Sequence, residues 1–257
     1  MRVVVKFGTG ILTSHHGRSL DMKQFRRLSA EVSSLRNAGH DCIIVSSGAV
    51  TAGIGVFGLP SRPADLRMKQ ACAAVGQPRL MRAFDTCFAS HGLRTAQLLI
   101  THPDIDSLRR RENARQTLET LLAVNTLVPI INENDSVATE ELNFGDNDRL
   151  SAEVALLAKA DLLVILTSSD GVQDATGKRL NTIADIDAAM QLVRPEKGTN
   201  SVGGMSAKLA AVSLAVEGGI PTVVADGRMP GQIPGAVAGA DIGTRFPAAK
   251  SPRRKSS

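Results

Sequence analysis

Short, mostly apolar runs recur along this chain, each followed by a stretch with helical spacing, and that alternation restricts the fold more than any other feature. The runs are Arg2–Phe7, Cys42–Val45, Thr95–Ile100, Leu127–Ile131, Leu162–Leu166 and Thr222–Ala225. Apolar residues on both alternate positions of a short strand mean burial on both of its faces. Between the first two runs, Met22, Phe25, Leu28, Val32 and Leu35 recur at helical spacing after a capping Ser19 or Asp21, and Gly39 ends the helix. Further helices are expected after Ser46-Ser-Gly-Ala49, from about Ala64, over Arg109–Val124, Leu150–Lys159, Ile186–Val193 and Met205–Val216, with the strand at Thr222–Ala225 closing the pattern. Such alternation predicts an α/β protein whose mostly parallel sheet is covered on both sides. There is no internal repeat and no low-complexity linker, so the 257 residues read as one domain with a ligand cleft.

Composition excludes several function classes. A 43% hydrophobic and 21% charged chain is that of a soluble globular protein, and no apolar run approaches the length of a membrane span. The N-terminus is a strand meeting Lys6 rather than a signal peptide, so a cytoplasmic location is expected. Three cysteines without CxxC spacing read as reduced thiols, and five histidines without HExxH or finger spacing argue against a protein-held zinc. The net charge of +5 suggests nucleic acid, but Lys250, Arg253, Arg254 and Lys255 fall within a basic tail at residues 250–257. Removing those four charges leaves a body of +1, without Trp or Tyr for base stacking, so no nucleic-acid partner is expected.

The candidate site begins at Asn132–Asp148, a polar segment rich in amides and acids: Asn132, Glu133, Asn134, Asp135, Glu140, Glu141, Asp146, Asn147 and Asp148, with Arg149 as the basic neighbour. A buried strand delivers its first cluster and a helix begins at the second. Polar groups at the carboxyl end of a strand in an open α/β sheet are where ligands bind, so this segment is read as gripping a small polar substrate; a solvated hairpin is the bland alternative. Ser46-Ser-Gly-Ala49 joins strand to helix, where free amides and the Ser47 hydroxyl either hold a carboxylate or simply cap. Lys6 beside Gly8-Thr-Gly10, and Lys208 after Gly203-Gly204, are either snorkelling surface lysines or phosphate clamps. Gly53-Ile-Gly-Val-Phe-Gly58 matches GxGxxG but lies too far beyond the strand at Val45 to be a dinucleotide turn, and reads as a glycine-rich helix end. No Walker sequence is present.

Taken together, Lys6-Phe-Gly-Thr9, Ser46-Ser-Gly-Ala49, Lys69–Gln77, Asn132-Glu-Asn-Asp135, Gly145-Asp-Asn-Asp148 and Gly203–Lys208 closely resemble the glutamate 5-kinase family of the amino acid kinase superfamily, in order and over nearly the whole chain. The resemblance implies a three-layer αβα sandwich with a mostly parallel central sheet, an amino acid kinase domain over residues 1–249, ATP with magnesium, and phosphorylation of the side-chain carboxylate of L-glutamate as the first step of proline synthesis. It implies that Lys6 and Lys208 neutralise the transferring phosphoryl group and that Asp148 holds them. Ser47, Gly48, Asp135 and Asn147, with Asn132 close by, would bind glutamate. Gly8, Thr167, Ser168, Gly203, Gly204, Met205 and Ser206 would contact the nucleotide together with the two lysines, and magnesium would be held through ATP phosphates rather than by the protein. Family members are often homo-oligomers inhibited by proline, and many carry a C-terminal PUA domain that this chain would lack. Four departures touch nucleotide contacts: Ser168 stands where aspartate is usual, Val202 and Ala207 where threonine is usual, and Gly10 where serine is common.

The expected chemistry suits these residues. A glutamate side chain is already ionised at neutral pH, so no general base is required. The obstacle is the approach of one anion to another, which calls for positioning and fixed positive charge. The alternatives are another superfamily kinase, such as an acetylglutamate kinase, or a non-catalytic ligand-binding protein on the same fold.

Overall fold

The computed structural model describes residues 1–14, 19–137, 146–192 and 204–249. In chain order these form β1 (Arg2–Phe7), α1 (Thr9–Leu12), α2 (Met22–Asn37), β2 (Asp41–Ser46), α3 (Ala49–Ile54), α4 (Leu66–Ala89), β3 (Arg94–Ile100), α5 (His102–Asp106), α6 (Leu108–Leu122), β4 (Leu127–Glu133), α7 (Asp146–Leu157), β5 (Leu162–Thr167), α8 (Ile186–Leu192), α9 (Met205–Glu217), β6 (Thr222–Asp226), α10 (Gln232–Ala238) and β7 (Thr244–Phe246). One seven-stranded sheet runs in the order β3-β4-β2-β1-β5-β6-β7, parallel except for the β6–β7 pair. Helices cover both sides, giving the expected three-layer αβα sandwich. Among the described residues no helix is long and apolar enough to cross a membrane.

Strand parity decides what lies on each side. Val3, Val5 and Phe7 of β1 join one core with α2, α3, α4 and α10, while Val4 joins the other with α6, α7 and α9. Side chains alternate between faces with a period of two, so Lys6 emerges on the α7/α9 side at the strand's carboxyl end. There it pairs in register with Val45 of β2 and Ile165 of β5. The chain leaves β1 toward β2 and leaves β5 toward β6, in opposite directions, so the crevice at the carboxyl ends of β1 and β5 is the topological switch point.

Several local features follow from the sequence. The Asp21 carboxylate accepts from the Lys23 and Gln24 amides and starts α2, settling which residue caps that helix. The GxGxxG match belongs to a helix pair: Gly53 lies in α3 against the Cys72 backbone of α4, and Gly76 of α4 lies against the Ala49 carbonyl. A β-carbon at either glycine would overlap backbone, which explains glycine at both points of contact.

Several elements differ from the sequence expectation. Helix α7 begins at Asp146 rather than Leu150, because acidic and amide residues favour a first helical turn that apolar periodicity does not register. Strand β4 runs two residues further, through Asn132 and Glu133. The sheet does not end at β6: α10 and the antiparallel β7 follow, the latter only three residues long and too short to show alternation.

Candidate active site

Lys6 and Lys208 lie 202 positions apart in the sequence and meet at one carboxylate. Lys6 Nζ is 2.6 Å from Asp148 Oδ1, and Lys208 Nζ is 3.6 Å from Asp148 Oδ2. All three are buried, at 5%, 7% and 1% relative exposure for Lys6, Lys208 and Asp148. Asp148 is the third residue of α7 and Lys208 the fourth of α9, and these two helices pack side by side, α7 over β1 and α9 against β6. Both begin at the carboxyl edge of the sheet, so their amide ends face the same crevice. The positive end of the α7 dipole favours the Asp148 carboxylate. Burying charge is costly unless each group is compensated, and here one carboxylate serves two ammonium groups. The three groups carry a net charge of +1.

The acceptor-side candidates gather at the ends of β2 and β4 and the start of α7. Ser47 is buried, and its amide donates to the Phe7 carbonyl at 3.2 Å, tying the exit of β2 to the strand that carries Lys6. Gly48 follows with φ 103°, in the left-handed region that side chains rarely adopt, and caps α3. Asp135 lies in the turn after β4, half-buried, and Asn147 is half-buried in the first turn of α7. Asn147 Oδ1 is buried without a hydrogen-bond donor among the described residues. Asn132 differs from the others. It is almost wholly buried, its Nδ2 donates to Gln77 Oε1 at 2.8 Å, and its Oδ1 accepts from the Glu133 amide at 2.9 Å. Gln77 in turn donates to Gln97 Oε1 at 2.8 Å. Asn132 therefore engages the fold at both ends of its amide.

The nucleotide-side candidates sit at the ends of β1 and β5 and the start of α9. A β-carbon on Gly8 would lie 3.4 Å from Lys6 Nζ and from the Leu166 carbonyl, so glycine keeps the space beside the ammonium open. Thr167 is buried at the end of β5, where its carbonyl accepts from Gly227, and Ser168 is exposed just beyond it. Gly204 caps α9 and is followed by half-buried Met205 and exposed Ser206. Gly203, Val202 and the acidic residues Glu140 and Glu141 lie outside the described residues. Among the described residues no group of three or more His, Cys, Asp or Glu could hold a metal ion. The paired ammonium groups, the open space at Gly8 and the amide end of α9 do suit a polyphosphate with its accompanying cation.

A second charged cluster adjoins the acceptor side, and sequence reasoning missed it. His102, the first residue of α5, places Nδ1 2.8 Å from Glu153 Oε2 of α7 and Nε2 3.9 Å from Glu133 Oε2 at the end of β4. Both glutamates are buried, and Arg149 Nε donates to Glu153 Oε1 at 2.8 Å. The hydrogen bond to Glu153 holds the His102 pKa above its ordinary value, helped by the charges of Glu153 and Glu133 against desolvation and Arg149. No spacing in the sequence links residues 102, 133 and 153. The one available signal was an acid, Glu133, inside an otherwise buried strand end. Adjoining this cluster and sharing Arg149 and Glu153 with it, a groove of about 800 Å³ runs between α6, α7 and α9, lined also by Arg111, Arg115 and Lys159 over Leu156 and Ala210.

A family model described as the amino acid kinase family matches residues 1–226. The glutamate 5-kinase of Citrifermentans bemidjiense is 44% identical over 262 residues, covering 99% of this chain and 70% of that protein. The glutamate 5-kinases of Myxococcus xanthus and Thermus thermophilus are 43% and 41% identical, over 98% of this chain and 68% and 69% of theirs. Among solved structures, N-acetylglutamate synthase from Neisseria gonorrhoeae, complexed with coenzyme A and N-acetyl-glutamate, superposes with a TM-score of 0.72 at 16% identity, covering 97% of this chain and 60% of that one. UMP kinase from Bacillus anthracis gives 0.64 at 16% identity, over 98% and 97%. At such low identity these structures share the fold alone.

Proposed function

The chain belongs to the amino acid kinase family, in its glutamate 5-kinase branch, and from that premise we propose how its residues transfer the γ-phosphoryl group of ATP to the side-chain carboxylate of L-glutamate. The product is L-glutamyl 5-phosphate and the step opens proline biosynthesis. The convergence of Lys6 and Lys208 on Asp148 supports the reading more than any other observation.

Glutamate enters with its side chain ionised, so no proton need be removed before attack. One carboxylate oxygen forms a bond to the γ-phosphorus as the bond from that phosphorus to the β,γ-bridging oxygen breaks, and the electron pair leaves on ADP. Negative charge spreads over the phosphoryl oxygens in between. Lys6 and Lys208 supply fixed positive charge where it develops, and Asp148 holds them there before the substrates arrive, so little reorganisation accompanies the reaction. Magnesium bound with the nucleotide would supply further positive charge beside Lys6 and Lys208. Gly8, Thr167, Ser168 and the Gly203–Lys208 stretch hold the nucleotide.

On the acceptor side, Asp135 and the Asn147 carbonyl oxygen pair with the α-ammonium group, which suits an unblocked amino acid. The Asn147 oxygen is buried without a donor among the described residues, and an ammonium would satisfy it. Ser47 and the amides beyond Gly48 receive a carboxylate. Asn132 acts through the backbone of the β4 exit rather than by touching substrate. The same reading includes a kinase domain over residues 1–249, proline as a feedback inhibitor at the acceptor side, a homo-oligomer and a cytoplasmic location.

The test is a hydroxamate assay for acyl phosphate with ATP and magnesium, run in parallel on L-glutamate and N-acetylglutamate. Acyl phosphate from glutamate alone is expected. Turnover of N-acetylglutamate in preference would overturn the assignment of Asp135 and Asn147.

A further inference from the structure

His102 joins the two halves of the proposed acceptor pocket from outside it. Glu133 immediately precedes the turn carrying Asp135, and the Asn134 amide donates to the Ile100 carbonyl at 3.2 Å, so this turn is anchored beside the start of α5. Glu153 lies on α7, the helix whose first turn carries Asn147 and Asp148. The imidazole of His102 reaches one buried carboxylate with each nitrogen. We propose that His102 in its protonated form is a positioning residue, a strut that holds the exit of β4 against α7 and so sets the spacing of the groups that bind the acceptor amino acid. This rests on the reading of Asp135 and Asn147 given above.

The chemistry of imidazole makes the strut conditional. The ring is hydrogen-bonded to Glu153 at 2.8 Å, whereas its link to Glu133, 3.9 Å from Nε2, is charge attraction, and loss of the proton removes that attraction. The other charged group acting on the ring is Arg149 on α7; α5 itself carries Asp104, bonded to Thr101 and Arg110, and Asp106, which lines the adjoining groove. Across the groove α6 presents Arg111, Glu112 and Arg115, with Glu112 and Arg115 paired, whereas α9 presents alanines and Leu214. Arg149 neutralises only part of the glutamate pair, and the raised pKa of His102 keeps the ring charged beyond its ordinary range.

The experiment compares wild type, His102→Gln and the double variant His102→Gln/Glu133→Gln, measuring kcat and both KM values from about pH 6 to pH 9, the range a histidine switch spans. In the wild type the glutamate KM rises with pH. In His102→Gln it is raised roughly tenfold at low pH, the size of one hydrogen bond to a charged group, and no longer follows the histidine titration. Its kcat and ATP KM stay within about threefold of wild type, and the double variant recovers part of the loss because one buried charge leaves with the other. A fall in kcat with unchanged glutamate KM, or a KM–pH profile parallel to wild type, overturns the proposal. If His102→Gln does not fold, Glu153→Gln loosens the same contact and is read in the same way. Wild-type acyl phosphate formation tests the acceptor assignment separately, and the variant-to-wild-type ratio tests this inference.

Discussion

On one side of the central sheet, α2, α3 and α4 close over Val3, Val5 and Phe7; on the other, α7 and α9 close over Val4 and bring Asp148 and Lys208 to Lys6. The first side is held by apolar packing. Phe84 is the hub of an aromatic cluster, its ring centroid 4.7 Å from Phe25, 6.2 Å from Phe7 and 6.4 Å from Phe88, and two glycines let α3 and α4 approach backbone to backbone. The second side buries charges that tolerate burial only in each other's company. Neighbouring residues of one strand, Lys6 and Phe7, thus serve opposite ends. The difference separates stability from chemistry: apolar packing is non-directional and supports the frame, whereas the charged side must hold its groups at defined distances and leave positive charge directed at the crevice.

That separation can be broken at several points. Asp148→Asn is expected to have the largest effect, because it leaves two buried ammonium groups facing one another. Loss of one partner from a buried pair costs about 3–5 kcal/mol, and urea unfolding should show it together with loss of phosphoryl transfer. Phe84→Ala should cost stability on a similar scale, about 3–5 kcal/mol, from the cavity it leaves. In contrast to Asp148→Asn, its kcat per folded molecule should match wild type, and a large fall in that kcat would mean that the two sides are coupled. Lys208→Ala should lower kcat by about 10²-fold or more, as loss of a transition-state donor does, with a melting temperature near wild type. Unchanged kcat would remove Lys208 from the mechanism. Asp135→Ala should raise the glutamate KM roughly tenfold while leaving kcat close to wild type, sharpening the division between binding and transfer within the charged side.

The smallest effect is on the pH dependence of stability. The folded-state pKa of His102 is raised, chiefly by its hydrogen bond to Glu153. Its contribution is therefore fully present below the unfolded value, about 6.5, and is lost as pH rises through the higher folded value. Urea midpoints should show this decline in wild type and not in His102→Gln. On the apolar side, burial pushes the Cys42 thiol up to about 12. That thiol should resist alkylation at neutral pH until the protein unfolds.

Much of the frame was legible because it rests on local patterns. Continuous apolar runs mark strands buried on both faces, and β1, β2, β4, β5 and β6 all appear where such runs occur. Asp21 and Gly39 bracket α2 because a short acidic side chain caps a helix start and glycine adopts the left-handed turn that ends one. Lys6, Asp148 and Lys208 could be singled out from the motifs around them. By contrast, α10 and β7 left no periodic trace, and the first turn of α7, ahead of Leu150, carried no apolar periodicity because its residues are polar.

The sequence by itself determined the layered α/β architecture, the carboxyl edge as the place for a ligand, and the residue types available there, since periodicity and turn chemistry act over a few neighbouring positions. Only the tertiary structure decided that one carboxylate joins two lysines from opposite ends of the chain, that the Asn132 amide turns inward to Gln77, and that His102 stands between Glu133 and Glu153. Those contacts depend on how strands order themselves in the sheet and which helix packs beside which. Distances of that kind are set by the closing of the whole core and leave no spacing along the chain to read.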